Sequence, residues 1–338
     1  MSAHLKQDEP VTSNRLDGMK QGIVGQPLSR VDGLAKVTGT APYAAEYKID
    51  NVAEGVLVTA PITRGEVASI DKDSVLSMPG VLAVLNDERL TTRAAQGTAN
   101  EAPQQDPATV CYWGQPIAVV VAETFEQARD AAKHLKVEYR VHEGAPLDPH
   151  QVTPEEQEDE TVNQGDLDAA MARAAHTVDV EIATEGHASA AMEPHAAIAE
   201  WRDDKLTVHA SLQMPNYNIA ELADSLGIEE SDIRLVSRYV GGGFGSKLGV
   251  SEETVAAAIA ARELGRPVRV VMSRQQVFQC IMRRSETTQK LRLASDEEGK
   301  LDGFAHHALV SNLPGEEFAE PVLQSSHFLY GGENRQLK

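Results

Sequence analysis

From Val56 onward, short runs of Val, Ile and Leu alternate with stretches whose apolar positions recur at helical spacing. Val56–Ala60, Gly80–Leu85 and Ile117–Glu123 read as strands, because each is a short run of aliphatic and β-branched residues. Phe125–Leu135 reads as a helix. Thr124 marks its start, since the hydroxyl can accept from first-turn amides while Gln127 reaches back to the Thr124 amide. Lys136–Val141 returns to a strand pattern. This alternation predicts βαβ-like traffic and an α/β domain over residues 25–145.

No apolar face can be drawn through the next stretch. Residues 146–165 carry Pro146, Pro149 and Pro154 and the acidic run Glu155–Glu160, and read as a linker. The pattern then resumes with a helix over Asp166–Ala175 and strands near Thr177–Thr184, Ala196–Trp201 and Leu206–Ser211. The last two are joined by a hairpin turn at Asp203-Asp204. Tyr217–Leu226 reads as a helix with Gly227 just past its end, and Ile233–Val240 as a strand. Ser251 is placed to cap a helix over Glu252–Leu264, with two acids in the first turn where the helix dipole favours them. Gly265 and Pro267 stop it. Val268–Met272 is a strand, and Thr288–Ala294 with Leu301–Val310 form a hairpin.

Aromatics make up only 4% of the 338 residues, so the core must rest on Val, Ile, Leu and Ala. A chain of this length can bury a sizeable core and form more than one domain. The formal net charge of −20 opposes binding to nucleic acid or to an anionic membrane surface. No run of about 18 apolar residues is present to span a bilayer as a helix. Cys111 and Cys280 stand far apart, so an iron–sulfur or structural zinc site made by this chain alone is not expected. Residues 1–24 lack periodicity and any apolar segment, and read as a flexible arm and not as a secretory signal. The expectation is a cytoplasmic protein, or a periplasmic one exported together with a partner.

The densest chemical signal is Gly241-Gly242-Gly243-Phe244-Gly245, read as a turn between a strand and a helix. Glycine permits positive φ and lets a ligand approach the backbone with no Cβ in the way, and a following helix would offer its amides to an anion. The plainer alternative is a turn selected only for tight reversal. Two nucleotide motifs fail on counting. A P-loop started at Gly241 has Ser246 in place of its second glycine and Leu248 in place of its hydroxyl residue. A Rossmann fingerprint fails at the same Ser246.

The segment Val240–Leu248 resembles the pterin-cofactor segment of the molybdenum hydroxylases, the xanthine dehydrogenase and aldehyde oxidase family. Four further segments agree, in the family's order: Gly25–Tyr43, Gly114-Gln115-Pro116, Met192-Glu193-Pro194-His195 and Ala210–Met214. Within the family the chain is similar to molybdenum-binding subunits of bacterial aldehyde oxidoreductases. The resemblance implies a mixed α/β and α+β fold. A hammerhead-type α/β domain would occupy residues 25–145, and the first part of a molybdopterin-binding α+β domain residues 166–338, incomplete at the C-terminus.

The resemblance also assigns roles. It makes Gln213 the amide beside the molybdenum oxo ligand, and Gly242, Gly243, Phe244 and Gly245 the cofactor-binding turn. Amide donors suit ligands that carry negative charge. Leu248 would line the substrate pocket, where purine-oxidising members carry a glutamate. An apolar residue there favours an aldehyde over a purine or other N-heterocycle. Glu193 and His195 would be structural, since the pterin holds the metal and no side chain ligates it directly. The family's general-base glutamate is expected beyond Lys338, so no residue here takes that role, and the chain alone is expected to be inactive. The implied cofactor is molybdenum with molybdopterin, as the cytosine dinucleotide. The implied partners are a 2Fe-2S subunit and an FAD subunit. A purine dehydrogenase subunit and a non-catalytic binding or assembly module remain the alternatives.

Overall fold

A computed structural model of the chain describes residues 22–23, 25–90, 108–144, 148–156, 161–312 and 320–338. Of the expected N-terminal arm only Gly22 and Ile23 fall among them, and the acidic run is described only as far as Glu156. The architecture is the mixed α/β arrangement expected from the sequence. Its centre is a seven-stranded sheet in the order Ile233–Val236, Lys205–Ala210, Ala196–Arg202, Val268–Val271, Ala53–Thr59, Pro116–Ala122, Val81–Leu85. Strands from before and after residues 146–165 therefore share one ladder, joined where Ala53–Thr59 runs parallel to Val268–Val271.

Two helices close the faces of this sheet. Glu252–Leu264 lies against Ala196–Arg202 and its neighbours, and every residue from Glu253 to Ala261 is buried. Its row of alanines lets the helix backbone approach the sheet closely. On the opposite side, Phe125–His134 covers Ala53–Thr59 and Pro116–Ala122. Pro116–Ala122 is buried at all seven positions because it has apolar neighbours on both sides. Val119 and Val121 join the larger core under Glu252–Leu264, whereas Ala118 and Val120 join Ala131 of the other helix and Leu135 just past its end.

The βαβ expectation fails on strand direction. Pro116–Ala122 runs antiparallel to both Ala53–Thr59 and Val81–Leu85. The strand after the helix, Lys136–Val141, leaves for a separate three-stranded antiparallel sheet with Gly65–Asp71 and Thr109–Val110. Strand and helix alternation alone does not specify which strands pair, since pairing is a non-local choice. Val162–Gln164, expected to be linker, is a strand paired with Asn334–Leu337. It opens a five-stranded sheet that continues through Leu301–Val310 and Thr287–Ser295 to an edge strand, His176–Thr184.

Local signals hold well. Thr124 and Gln127 form the reciprocal cap, the Gln127 amide donating to Thr124 Oγ1 at 3.3 Å and the Thr124 amide to Gln127 Oε1 at 3.1 Å. The hairpin between Ala196–Arg202 and Lys205–Ala210 turns at Asp203, which has φ 54°. Gly227 and Gly265 end their helices in left-handed conformation. Ser251 stands at the N-cap of Glu252–Leu264, but its side chain makes no capping bond.

Candidate functional site

Topology brings the sequence motifs to one end of the large sheet. Lys205–Ala210 and Ile233–Val236 run parallel, so Gln213 and the glycine run leave the sheet at the same end. Ala196–Arg202 runs antiparallel to Lys205–Ala210, so Glu193 and His195, just before it, arrive at that end too. The glycine run does not open a helix, contrary to the sequence reading. Its strand ends at Val236 and the next helix begins at Glu252, so the loop amides and not a helix terminus make this surface.

Gln213 anchors the loop. Its amide donates to the Lys247 carbonyl at 2.7 Å, and its Oε1 accepts from the Gly245 amide at 3.0 Å and the Lys247 amide at 3.3 Å. With the carbonyl end of the side chain spent on the loop, the exposed NH₂ end is the donor it offers outward. Gly243 leaves room for the Gln213 side chain as it stands. A Cβ on it would lie 2.1 Å from Gln213 Oε1. Gly245, at φ 98°, lies against Arg284, where a Cβ would come within 2.7 Å of the guanidinium Nη2. Phe244 itself adopts φ 54°, is 70% exposed, and has its carbonyl 3.4 Å from the Ser189 hydroxyl. A left-handed, exposed aromatic is a costly conformation held by its surroundings.

Beneath the loop lies an ion pair. The Lys247 side chain is fully buried, and its Nζ donates to Glu193 Oε2 at 3.0 Å, the Glu193 carbonyl at 3.1 Å and Ser211 Oγ at 3.0 Å. Burial pulls the Lys247 ammonium below its usual range, an effect that Glu193 opposes. Glu193 Oε2 also accepts from the Gly241 amide and from Ser211 Oγ, each at 2.6 Å. His195 is 1% exposed, with Nε2 at 2.9 Å from the Ser246 carbonyl, and burial drives its pKa down to about 4. The structural reading of Glu193 and His195 thus fits their surroundings. Leu248 is half-buried on the same loop. Its carbonyl accepts from Asn218 Nδ2 at 2.7 Å and its amide donates to the Gly245 carbonyl at 3.3 Å.

Sequence reasoning missed Arg284, Ser211 and the role of Lys247. Ser211 and Lys247 lie within the recognised segments Ala210–Met214 and Val240–Leu248, but nothing in those segments marks the ion pair they build. Arg284 lies 39 positions after Gly245 and nothing local marks it. Among the described residues, no cluster of three His, Cys, Asp or Glu side chains is arranged to hold a metal ion. Nor, among the described residues, is any helix long and apolar enough to cross a membrane. The site is therefore a loop of backbone amides with one oriented side-chain amide, donors suited to a group bearing negative charge, beside Arg284, whose guanidinium is paired with Glu320 at 3.2 Å.

Comparison with known proteins matches residues 121–333 to the molybdopterin cofactor-binding domain. Residues 38–143 match the a/b hammerhead domain of aldehyde oxidase and xanthine dehydrogenase. The chain is 38% identical over 336 residues to an Escherichia coli aldehyde oxidoreductase molybdenum-binding subunit, covering 98% of this chain and 45% of that protein. It is 29% identical to the large subunit of nicotine 6-hydroxylase from Paenarthrobacter nicotinovorans, over 89% of this chain and 38% of that one. The aldehyde oxidoreductase of Desulfovibrio gigas superposes with a TM-score of 0.76 at 25% identity, over 91% of this chain and 37% of that one. The chain thus spans less than half the length of these relatives. With the loop's geometry and the match over residues 121–333 in agreement, the chain belongs to the aldehyde oxidase and xanthine dehydrogenase family and carries its molybdopterin cofactor-binding domain.

Proposed function

We propose that this chain is the cofactor-holding part of an oxidoreductase that converts aldehydes to carboxylic acids with water as oxygen source. The observation that carries this reading is the orientation of Gln213. Two loop amides hold its Oε1, which aims the NH₂ end away from the loop, and Gly243 leaves the space the side chain occupies. The loop fits an anionic cofactor, because the groups it presents are donors and Gly243 leaves Gln213 room to lie against the loop, where a Cβ would meet that side chain. When bound, molybdopterin, here proposed as its cytosine dinucleotide, would supply the molybdenum centre for oxygen transfer and two-electron chemistry. Gln213 and the amides of Gly242, Gly243 and Phe244 would bind and orient it, while the Gly245 amide stays on Gln213 Oε1 and fixes that side chain. Leu248 presents no proton acceptor for a purine ring, which supports an aldehyde as substrate. Electrons would pass to a 2Fe-2S subunit and an FAD subunit.

The family resemblance assigns the general-base role to none of the residues named here, and turnover is proposed to require additional polypeptide. The test is co-expression with the remainder of a relative's subunit and its partners, followed by molybdenum analysis and an aldehyde oxidation assay. The complex should contain molybdenum and oxidise aldehydes, while the isolated chain should not turn over. A complex free of molybdenum would overturn the cofactor reading. Turnover by the isolated chain would overturn the need for more polypeptide. In the active complex Gln213→Ala should cost about tenfold or more in activity, since an oriented amide donor is lost.

A further inference from the structure

Glu193 takes both backbone groups of Gly241. Its amide donates to the Gly241 carbonyl at 3.2 Å, and its Oε2 accepts from the Gly241 amide at 2.6 Å. The same carboxylate holds the other end of the loop through Lys247 Nζ. Its second oxygen, Oε1, lies 3.4 Å from the amide of Ala44, in the short helical turn Ala44–Glu46. One side chain therefore ties together four segments far apart in sequence: residues 41–46, 189–195, 211–213 and 241–247. All three donors of the Lys247 ammonium are satisfied, two by Glu193 and one by Ser211, so the pair is geometrically complete.

Stability alone does not account for such a pair. Apolar residues of similar volume commonly replace a buried ion pair at no loss, because desolvation consumes most of the Coulombic gain. An apolar replacement would, however, release the Gly241 amide and the Lys247 end of the loop. We infer that Glu193 and Lys247, assisted by Ser211, are positioning residues that clamp both ends of the 241–247 loop so that the amides between them face the cofactor in fixed register. This inference rests on the proposed cofactor role of the loop.

The test follows amide hydrogen exchange of the peptide spanning residues 238–248 in the full chain, together with molybdenum retained after dialysis of the co-expressed complex. Lys247→Met should speed exchange across the loop about tenfold, the loss of a charge-assisted clamp, while the helix Phe125–His134 exchanges as before. The charge-neutral pair Glu193→Gln with Lys247→Met should recover the melting temperature lost by Lys247→Met, because no buried charge is left unpaired. It should recover neither slow loop exchange nor molybdenum retention. Recovery of all three would make the pair a stability feature and overturn the inference. If Lys247→Met does not fold, Ser211→Ala decides, since it keeps the ion pair and removes one of its ligands. Loop exchange about threefold faster is expected there, and unchanged exchange overturns the inference. A wild-type complex without molybdenum would refute the proposed function, while loop exchange would still test the clamp.

Discussion

The two larger sheets use the same strand chemistry to opposite ends. In the seven-stranded sheet, Pro116–Ala122 is buried at every position. In the five-stranded sheet, His176–Thr184 is exposed at every position, although Val178, Val180 and Ile182 alternate as regularly as any core strand. These three share a face with Leu293, Leu291 and Gln289 of the next strand, and nothing among the described residues covers their end of it. The lesson is that periodicity announces a strand, but neighbours decide what it buries. The candidate site sits on the sheet that is covered on both sides. Placing amides to within a fraction of an ångström needs a support that does not move, and close-packed cores provide one.

The comparison breaks most sharply at Lys247. Replacing it with Met leaves Glu193, whose side chain is only 10% exposed, without its cation and should cost about 3–5 kcal/mol in denaturant unfolding. A loss under about 1 kcal/mol would mean that water reaches the pair. Next comes the core beneath the site. Ile198→Ala removes a fully buried side chain from the strand Ala196–Arg202 and should cost about 2–5 kcal/mol by the same measurement.

Glu253 sharpens the comparison within the buried half. Unlike Glu193, it sits in the core with Oε2 lacking a hydrogen-bond partner, and burial, helped by Glu252, raises its pKa to about 7. The folded chain then holds a proton that the unfolded chain, near 4.5, releases. Stability should fall as pH rises from about 4.5 to about 7, by up to about 3 kcal/mol, and stay low above that. Glu253→Gln should flatten this slope, which urea midpoints measured across the window would reveal. An unaltered slope would show that the carboxyl is paired or hydrated. The smallest effect belongs to the open sheet. Val180→Thr on the exposed strand should shift stability by no more than about 0.5 kcal/mol, and a larger loss on thermal melting would show that this face is covered in solution.

The site was legible because its chemistry is written in short contiguous words. Gly243 and Gln213 were assigned by resemblance, and the structure brings them into contact. Glu193 was visible, but its function as a clamp was not, because three of the segments it joins lie at least about 18 residues away and only the fold brings them within hydrogen-bond reach. Arg284 was invisible for the same reason.

By itself, then, the sequence determined what depends on near neighbours: the cap at Thr124 and Gln127, the hairpin at Asp203, the helix stops at Gly227 and Gly265, and the glycine loop's freedom from side chains. Each is settled by φ preference or by a hydrogen bond within a few residues. The tertiary structure alone decided strand direction, the joining of Ala53–Thr59 to Val268–Val271, and the gathering of four segments around one carboxylate. Those outcomes depend on which distant surfaces exclude water together, and local residue preference carries no information about that.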